Sequence, residues 1–439
     1  MFKETSKELL NFLSKSPTAF HAVENYRQIL NADGFKELLE SEHWDIVPGG
    51  KYYVTRNNTS ILAFKVGTKL DNYSFNIVTS HTDSPTFKVK ENAEIEVKNK
   101  YTQLNTEGYG GMLCATWLDR PLSIAGRVLV SEGNSIVTKL LNIDRDLLMI
   151  PNVAIHMNRA ANDGFKYNLQ VDMLPLLSGG DDRQKDFKQI IADELGVKKE
   201  DILGHDLYLY NRMAPSIWGA NEEFISAGHL DDLQCGFASL KALLAGYNDE
   251  SIDIMACFDN EEVGSGTKQG ADSTLLRDTL IRINNALGKT EEDYHRALAS
   301  SFMLSADNAH AVHPNHPEHT DVTNSTYMNE GVVVKSHAGQ KYTSDGVSMA
   351  VVKSLASGAD VPLQYFANRS DKAGGSTLGN IAMAQASMNA VDIGLPQLAM
   401  HSSYETAGIK DTYYAIALMK ALFDSHIQET STHSLEIKR

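Results

Sequence analysis

"IDIMACFDNEE", residues Ile252 to Glu262, is a mostly apolar run followed at once by polar residues, two of them adjacent glutamates. A short, near-continuous apolar run of this kind reads as a strand buried on both faces, as in a parallel sheet covered by helices. Such sheets bind ligands at the carboxyl ends of their strands, and Glu261 and Glu262 stand at this one. Adjacent glutamates also decorate solvated surfaces. The pair therefore takes its meaning from its neighbours.

Three more runs read as buried parallel strands: 75–80, 302–306 and 395–400. They end at His81, Asp307 and His401, so each of the four runs delivers a metal-capable side chain at its carboxyl end. Helices read from Ser16-Pro17 through Phe20, Val23 and Tyr26, and from Leu233 through Phe237, Leu240 and Leu243 to Gly246. The pattern predicts an α/β fold with a mixed, mostly parallel sheet sandwiched by helices.

At 439 residues and 42% hydrophobic content the chain is long enough for two domains with full cores. The formal charge of −16 argues against a nucleic-acid surface, which needs clustered Lys and Arg. No apolar stretch reaches the length of a membrane span, and the polar amino terminus does not read as a secretion signal. Cys114, Cys235 and Cys257 are odd in number and widely spaced, which fits neither a disulfide framework nor a thiolate metal site and points to the cytoplasm. The polar tail from about Ser425 reads as frayed.

Asp231, in "GHLDDLQ" at the entry to the Leu233 helix, completes a chemical set. Two divalent ions roughly 3.5–4 Å apart need a bridging carboxylate and further N/O ligands. Asp231 reads as the bridge, with His81 and Asp307 on one ion and Glu262 and His401 on the other. Glu261, beside a ligand and itself unligated, is placed to accept a proton from the attacking water. Asp83, two residues after His81, is placed to orient the imidazole. Mixed His/carboxylate ligation suits Zn, Mn or Co without ranking them. Singly, each residue has a structural reading: His81 as a hydrogen-bonded strand end, Asp231-Asp232 as a helix N-cap pair.

The segments "SHTDSP" (80–85), "LDD" (230–232), "NEEVGS" (260–265), "SADNAHAVHPN" (305–315), "GGSTLG" (374–379) and "VDIGLPQLAMHS" (391–402) resemble the aspartyl aminopeptidase and vacuolar aminopeptidase I family of co-catalytic zinc peptidases. "GYGGMLCATWLDRPLSIAGRV" (108–128), "PNVAIHMNR" (151–159) and "VVVKSHAGQKY" (332–342) are similar to family segments outside the metal motifs. The chain has His229-Leu-Asp-Asp232 where the family usually has Arg-Leu-Asp-Asn, and Asn380 where Pro more often follows Gly379. The resemblance implies two zinc ions, a peptide substrate with a free N-terminus, and a homododecamer enclosing the active sites. It also implies a catalytic α/β domain, residues 1–90 and 229–439, split by an inserted β-rich oligomerisation domain at 91–228. Alternating stretches at 93–97 and 126–130 are compatible with strands of such a unit, and a Gly/Asp loop at 178–182 interrupts it.

In the family, a histidine of the inserted domain reaches a neighbouring subunit's active site, and His156 is the matching position. The substrate contacts implied are His156, Lys335 and Tyr342; the loop Gly374-Gly375-Ser376-Thr377 reads either as a source of backbone N–H groups for the substrate or as a tight turn. Lys335 reads either as the point charge that recognises an Asp or Glu side chain or as a surface lysine whose stem crosses an apolar strand. His310, His313, His316 and His319 recur at every third position, but Pro314 and Pro317 exclude a continuous helix face, and no third metal site is expected there. The ligand set alone also suits a metal-dependent carboxypeptidase or deacylase. A non-catalytic shell protein would have lost a ligand or Glu261, and none is lost.

Overall fold

The computed structural model describes residues 1–180 and 186–439. Its centre is a nine-stranded mixed sheet. In spatial order the strands are Lys36–Glu37, Lys51–Arg56, Ser60–Val66, Ser251–Phe258, Ser74–His81, Phe302–Ala306, Asn389–Gly394, Val332–Lys335 and Leu363–Phe366. The four strands from Ser251–Phe258 to Asn389–Gly394 are mutually parallel.

Strand alternation explains why the opening run is apolar throughout. Ile254, Ala256 and Phe258 enter a core cluster that also holds Leu275, Leu276 and Leu280 of the helix Leu275–Ala286. Met255 and Cys257 point the other way, into a larger cluster with Tyr26, Leu233, Phe237 and Leu418. All eight residues of Ser251–Phe258 are buried. Burying both faces leaves the strand ends as the places where polar side chains can emerge.

The sequence run at 395–400 is not the fourth parallel strand. That place belongs to Asn389–Gly394, and Pro396–Leu398 lies instead in a five-stranded sheet with Ser216–Trp218, Phe224–Ala227, Glu405–Gly408 and Ala309–His310. The chain must leave the main sheet at Gly394, where a side-chain Cβ would lie 2.2 Å from the carbonyl oxygen of Asp307. The small sheet then holds the approaches to Asp307 and His401 side by side.

Two helix entries also differ from expectation. The first begins at Ala19, after Thr18, and Ser16 instead donates its hydroxyl to the carbonyl of Phe12. In the second, Leu230–Ala245, Asp231 and Asp232 have non-helical backbone angles, and the Asp231–Asp232 peptide is cis. The tail is not frayed: His426–Ser431 and Ser434–Lys438 pair as an antiparallel hairpin with His426 and Ile427 buried.

An antiparallel six-stranded sheet is built from Ser135–Asn142, Leu122–Glu132, Ile202–Asn211, Thr86–Val97, Tyr101–Tyr109 and Leu176–Gly179. It has its own core around Phe87, Trp117, Ile124 and Leu207. Of the Gly/Asp loop expected at 178–182, Ser178 and Gly179 end the strand Leu176–Gly179, while Asp181 and Asp182 lie outside the described residues.

Candidate metal centre

The parallel register sets His81 beside Phe258, so the turn after Phe258 starts next to the imidazole. Asn260 and Gly264 take left-handed backbone angles, with φ of 64° and 95°, around the short 3-10 turn Glu261–Val263. The Asp83 carboxylate holds that turn: Oδ1 accepts the Glu261 N–H and Oδ2 the Glu262 N–H, each at 3.1 Å. Tyr109, from the six-stranded sheet, donates its hydroxyl to Asp83 Oδ2 at 2.8 Å and accepts from Asn260 Nδ2 at 2.8 Å. Asp83 orients His81 through its backbone, since the carbonyl oxygen lies 3.0 Å from His81 Nδ1 and the carboxylate 3.4 Å away.

His401 is held in the same manner. Its Nδ1 lies 2.8 Å from the carbonyl oxygen of Gly111, and its backbone N–H donates to Glu405 at 2.8 Å. Each Nδ1 is directed at a carbonyl, which leaves Nε2 as the nitrogen facing the carboxylates and turned to act as a ligand. Gly110 permits this approach: its φ is 74°, and a Cβ there would lie 3.1 Å from Cβ of Glu262.

Asp231 stands between the two imidazoles, with Oδ1 3.3 Å from His81 Nε2 and Oδ2 3.5 Å from His401 Nε2. Glu262 lies 3.4 Å from His401 Nε2 and Asp307 lies 4.0 Å from His81 Nε2. The groups His81/Asp231/Asp307 and Asp231/Glu262/His401 therefore each gather ligand atoms within 4.8 Å, with Asp231 shared. Asp231 Oδ1 is buried without a hydrogen-bond partner, as a carboxylate oxygen reserved for a cation would be. The donor set, two imidazole nitrogens and three carboxylates without thiolate, fits zinc or a similar divalent ion.

Electrostatics point the same way. Burial pushes the Glu261 carboxyl up to about 8, opposed by His81 and reinforced by Asp307, Asp83 and Asp231. Burial also raises Glu262 well above the usual carboxylate range, with Asp231 the next cause, and raises Asp307 against the pull of Lys335. Asp231 goes the other way: burial raises it, but the positive groups around it, His81, His401 and Lys335, together lower it further. Concentrated, poorly compensated negative charge is a setting in which divalent cations bind.

Lys335 is not a surface lysine: it is 3% exposed and donates to the carbonyls of Asp307 at 2.7 Å and Asn308 at 3.2 Å. Its Nζ lies 5.4 Å from the ring centre of Tyr342, which is also buried. Gly375 is exposed in a loop with open space around it. His156 lies in an exposed turn, and among the described residues no metal-capable cluster includes it.

Sequence reasoning missed Glu405. Its two carboxylate oxygens take the N–H groups of His401 and Asp231, so one buried carboxylate positions a terminal histidine and the residue between the two. The only signal was a carboxylate four residues after His401. Tyr109 was missed too, and so was Asp232, which accepts the His81 N–H at 3.2 Å.

Residues 12–423 match the model of the family described as aminopeptidase I zinc metalloprotease (M18). A Clostridium novyi protein called probable M18 family aminopeptidase 2 is 47% identical over 95% of this chain and 98% of its own length. The fold is similar to that in a structure of an Ape4 and Nbr1 complex, with a TM-score of 0.93 and 35% identity over 96% of this chain and 86% of that one. It is also similar to the Saccharomyces cerevisiae mApe1 dodecamer, with a TM-score of 0.83 and 28% identity over 96% and 97% of the two chains.

Proposed function

The chain belongs to the M18 family of aminopeptidase I zinc metalloproteases, and we propose that it removes the N-terminal residue of peptides with two zinc ions and Glu261 as general base. The observation that carries this reading is Asp231 set between the Nε2 atoms of His81 and His401, with the half-buried Glu261 beside them. His81 and Asp307 would hold one ion and Glu262 and His401 the other, with Asp231 shared. Two such ions supply Lewis-acid polarisation of the first carbonyl and lower the pKa of the attacking water. Glu261 takes a proton from that water at its carboxylate and returns it to the departing amine. Asp83 keeps Glu261 and Glu262 at fixed positions by accepting both their N–H groups.

An acidic first residue is the preferred substrate in this reading. The buried Lys335 ammonium beside Tyr342 supports it, as a desolvated point charge attracts a carboxylate strongly. Residues 91–228 act as an inserted oligomerisation unit, a role supported by the separate core of the six-stranded sheet. Assembly as a homododecamer is supported by the likeness to mApe1, with His156 reaching a neighbouring active site. The free thiols Cys114, Cys235 and Cys257 support a cytoplasmic location. No helix among the described residues is long and apolar enough to cross a membrane.

The test is hydrolysis of Asp, Glu, Leu, Ala and Lys substrates, free and N-acetylated, after chelation and re-addition of Zn, Mn or Co. We expect metal-dependent cleavage of the free substrates only, an Asp/Leu ratio above one, and a collapse of that ratio in Lys335→Met. Cleavage of acetylated substrates would overturn the aminopeptidase assignment, and an unchanged ratio would overturn the role of Lys335.

A further inference from the structure

The histidine tract is not a helix, yet it gathers its rings. After the strand Ala309–His310 the chain passes through Pro314 into a 3-10 turn, Pro317–His319. The ring centres of His313 and His316 are 5.4 Å apart, and those of His316 and His319 are 5.5 Å apart with planes inclined by 21°. His316 Nδ1 lies 3.1 Å from Glu318 Oε1. His310 leaves the group and packs edge-on against Phe366.

We propose that His316, Glu318 and His319 form a third, solvent-accessible site for a borderline divalent transition-metal ion such as Zn²⁺, Ni²⁺ or Cu²⁺. One ligand atom from each of the three lies within 4.8 Å of the others. Two imidazoles and a carboxylate suit such ions, and the open side leaves positions for water. The turn is built before any ion arrives. Pro317 restricts the backbone, and N–H bonds run from His316 to the His313 carbonyl at 3.0 Å, from His319 to the His316 carbonyl at 3.2 Å and from Thr320 to the Pro317 carbonyl at 3.2 Å.

Among the described residues no lysine or arginine pairs with the Glu318 carboxylate. Arg369, the neighbouring guanidinium, pairs with the Asp371 carboxylate and otherwise donates to the Glu318 backbone carbonyl. A cavity of about 250 Å³ is lined by His313, His316 and His319 together with Gln397 and Met400.

Without an ion, His316 and Glu318 would be a simple surface ion pair, and metal uptake separates the two cases. Zinc-loaded protein, washed free of unbound metal, is titrated with ZnCl₂ by calorimetry, and bound zinc is counted by plasma mass spectrometry. The wild type is compared with His316→Ala/His319→Ala and with Glu318→Gln. The expected result is one more zinc per chain in the wild type than in the double variant, with the tightly held zinc equal in both. Glu318→Gln should bind the extra ion more weakly by at least about tenfold, the low end of what losing even an outer-shell partner costs. Equal uptake and equal affinity in wild type and double variant would overturn the proposal. Because all three side chains are exposed, the variants keep their fold, and equal melting curves verify that.

Discussion

Burial, with the carboxylates of Asp307, Asp83 and Asp231 around it, pushes the Glu261 carboxyl up to about 8, above the usual carboxylate range. That is what a base needs when it must accept a proton and give it back. Glu261→Gln should retain its zinc by atomic absorption while kcat falls by about 10²–10⁴-fold. Glu405→Gln tests a different quantity. Glutamine has one acceptor oxygen where the carboxylate has two, so either the Asp231 or the His401 N–H loses its partner. Zinc affinity, read by competition with a chromogenic chelator, should drop about 10–100-fold. An unchanged affinity would mean that Glu405 only fills space.

Elements were legible where they are chemically uniform. Ser251–Phe258, Ser74–His81 and Phe302–Ala306 read correctly because their interiors are almost free of charge. Asn389–Gly394 did not, because it is short and Asp392 interrupts its apolar run, whereas the longer Ser251–Phe258 still reads past its buried Asp253. The Asp392 carboxylate accepts hydrogen bonds from Ser305, Thr377 and the Thr343 N–H and hydroxyl, which no local pattern announces. The neighbouring 395–400 run looked more apolar and drew the reading instead. His401 was still found, since the metal-capable residue follows either strand. Glu405, Tyr109 and Asp232 stayed hidden because they act through backbone amides or a second sheet, not through a spacing. The helix Ala19–Ala32 carries its own prediction. Burial lowers the pKa of His21 to about 4, against the opposing pull of Glu24, while the unfolded chain titrates near 6.5. Above pH 6.5 the residue is neutral in both states. Between 6.5 and 4 only the unfolded chain takes up the proton, so stability falls as pH falls, by up to about 1.4 kcal/mol per pH unit. Urea midpoints of wild type minus His21→Leu, measured from pH 7 to 4.5, should trend downward with acid; a flat difference would refute the half-buried, neutral histidine.

At the scale of the whole molecule, the two sheets meet at the candidate centre. Tyr109 and Gly111 come from one side, while Asp83 and His401 come from the other. The exposed turn around His156, with Met157 85% exposed beside it, gives the proposed assembly something to bury. Sedimentation should give a mass of twelve chains. His156→Ala should leave that mass unchanged and lower kcat by about 10²–10³-fold, the usual cost of one oxyanion donor. A monomer with full activity would remove both the shell and the trans role of His156. The interleaved strand order also sets a timetable. Ser74–His81 is flanked by strands that begin at Ser251 and Phe302, and His401 follows His81 by 320 positions. At a synthesis rate of about 5–20 residues per second, the ribosome takes roughly 15–60 s to pass from one histidine to the other. Throughout that interval the nascent chain holds His81 without His401, so the proposed metal centre stays incomplete until the chain is almost fully made.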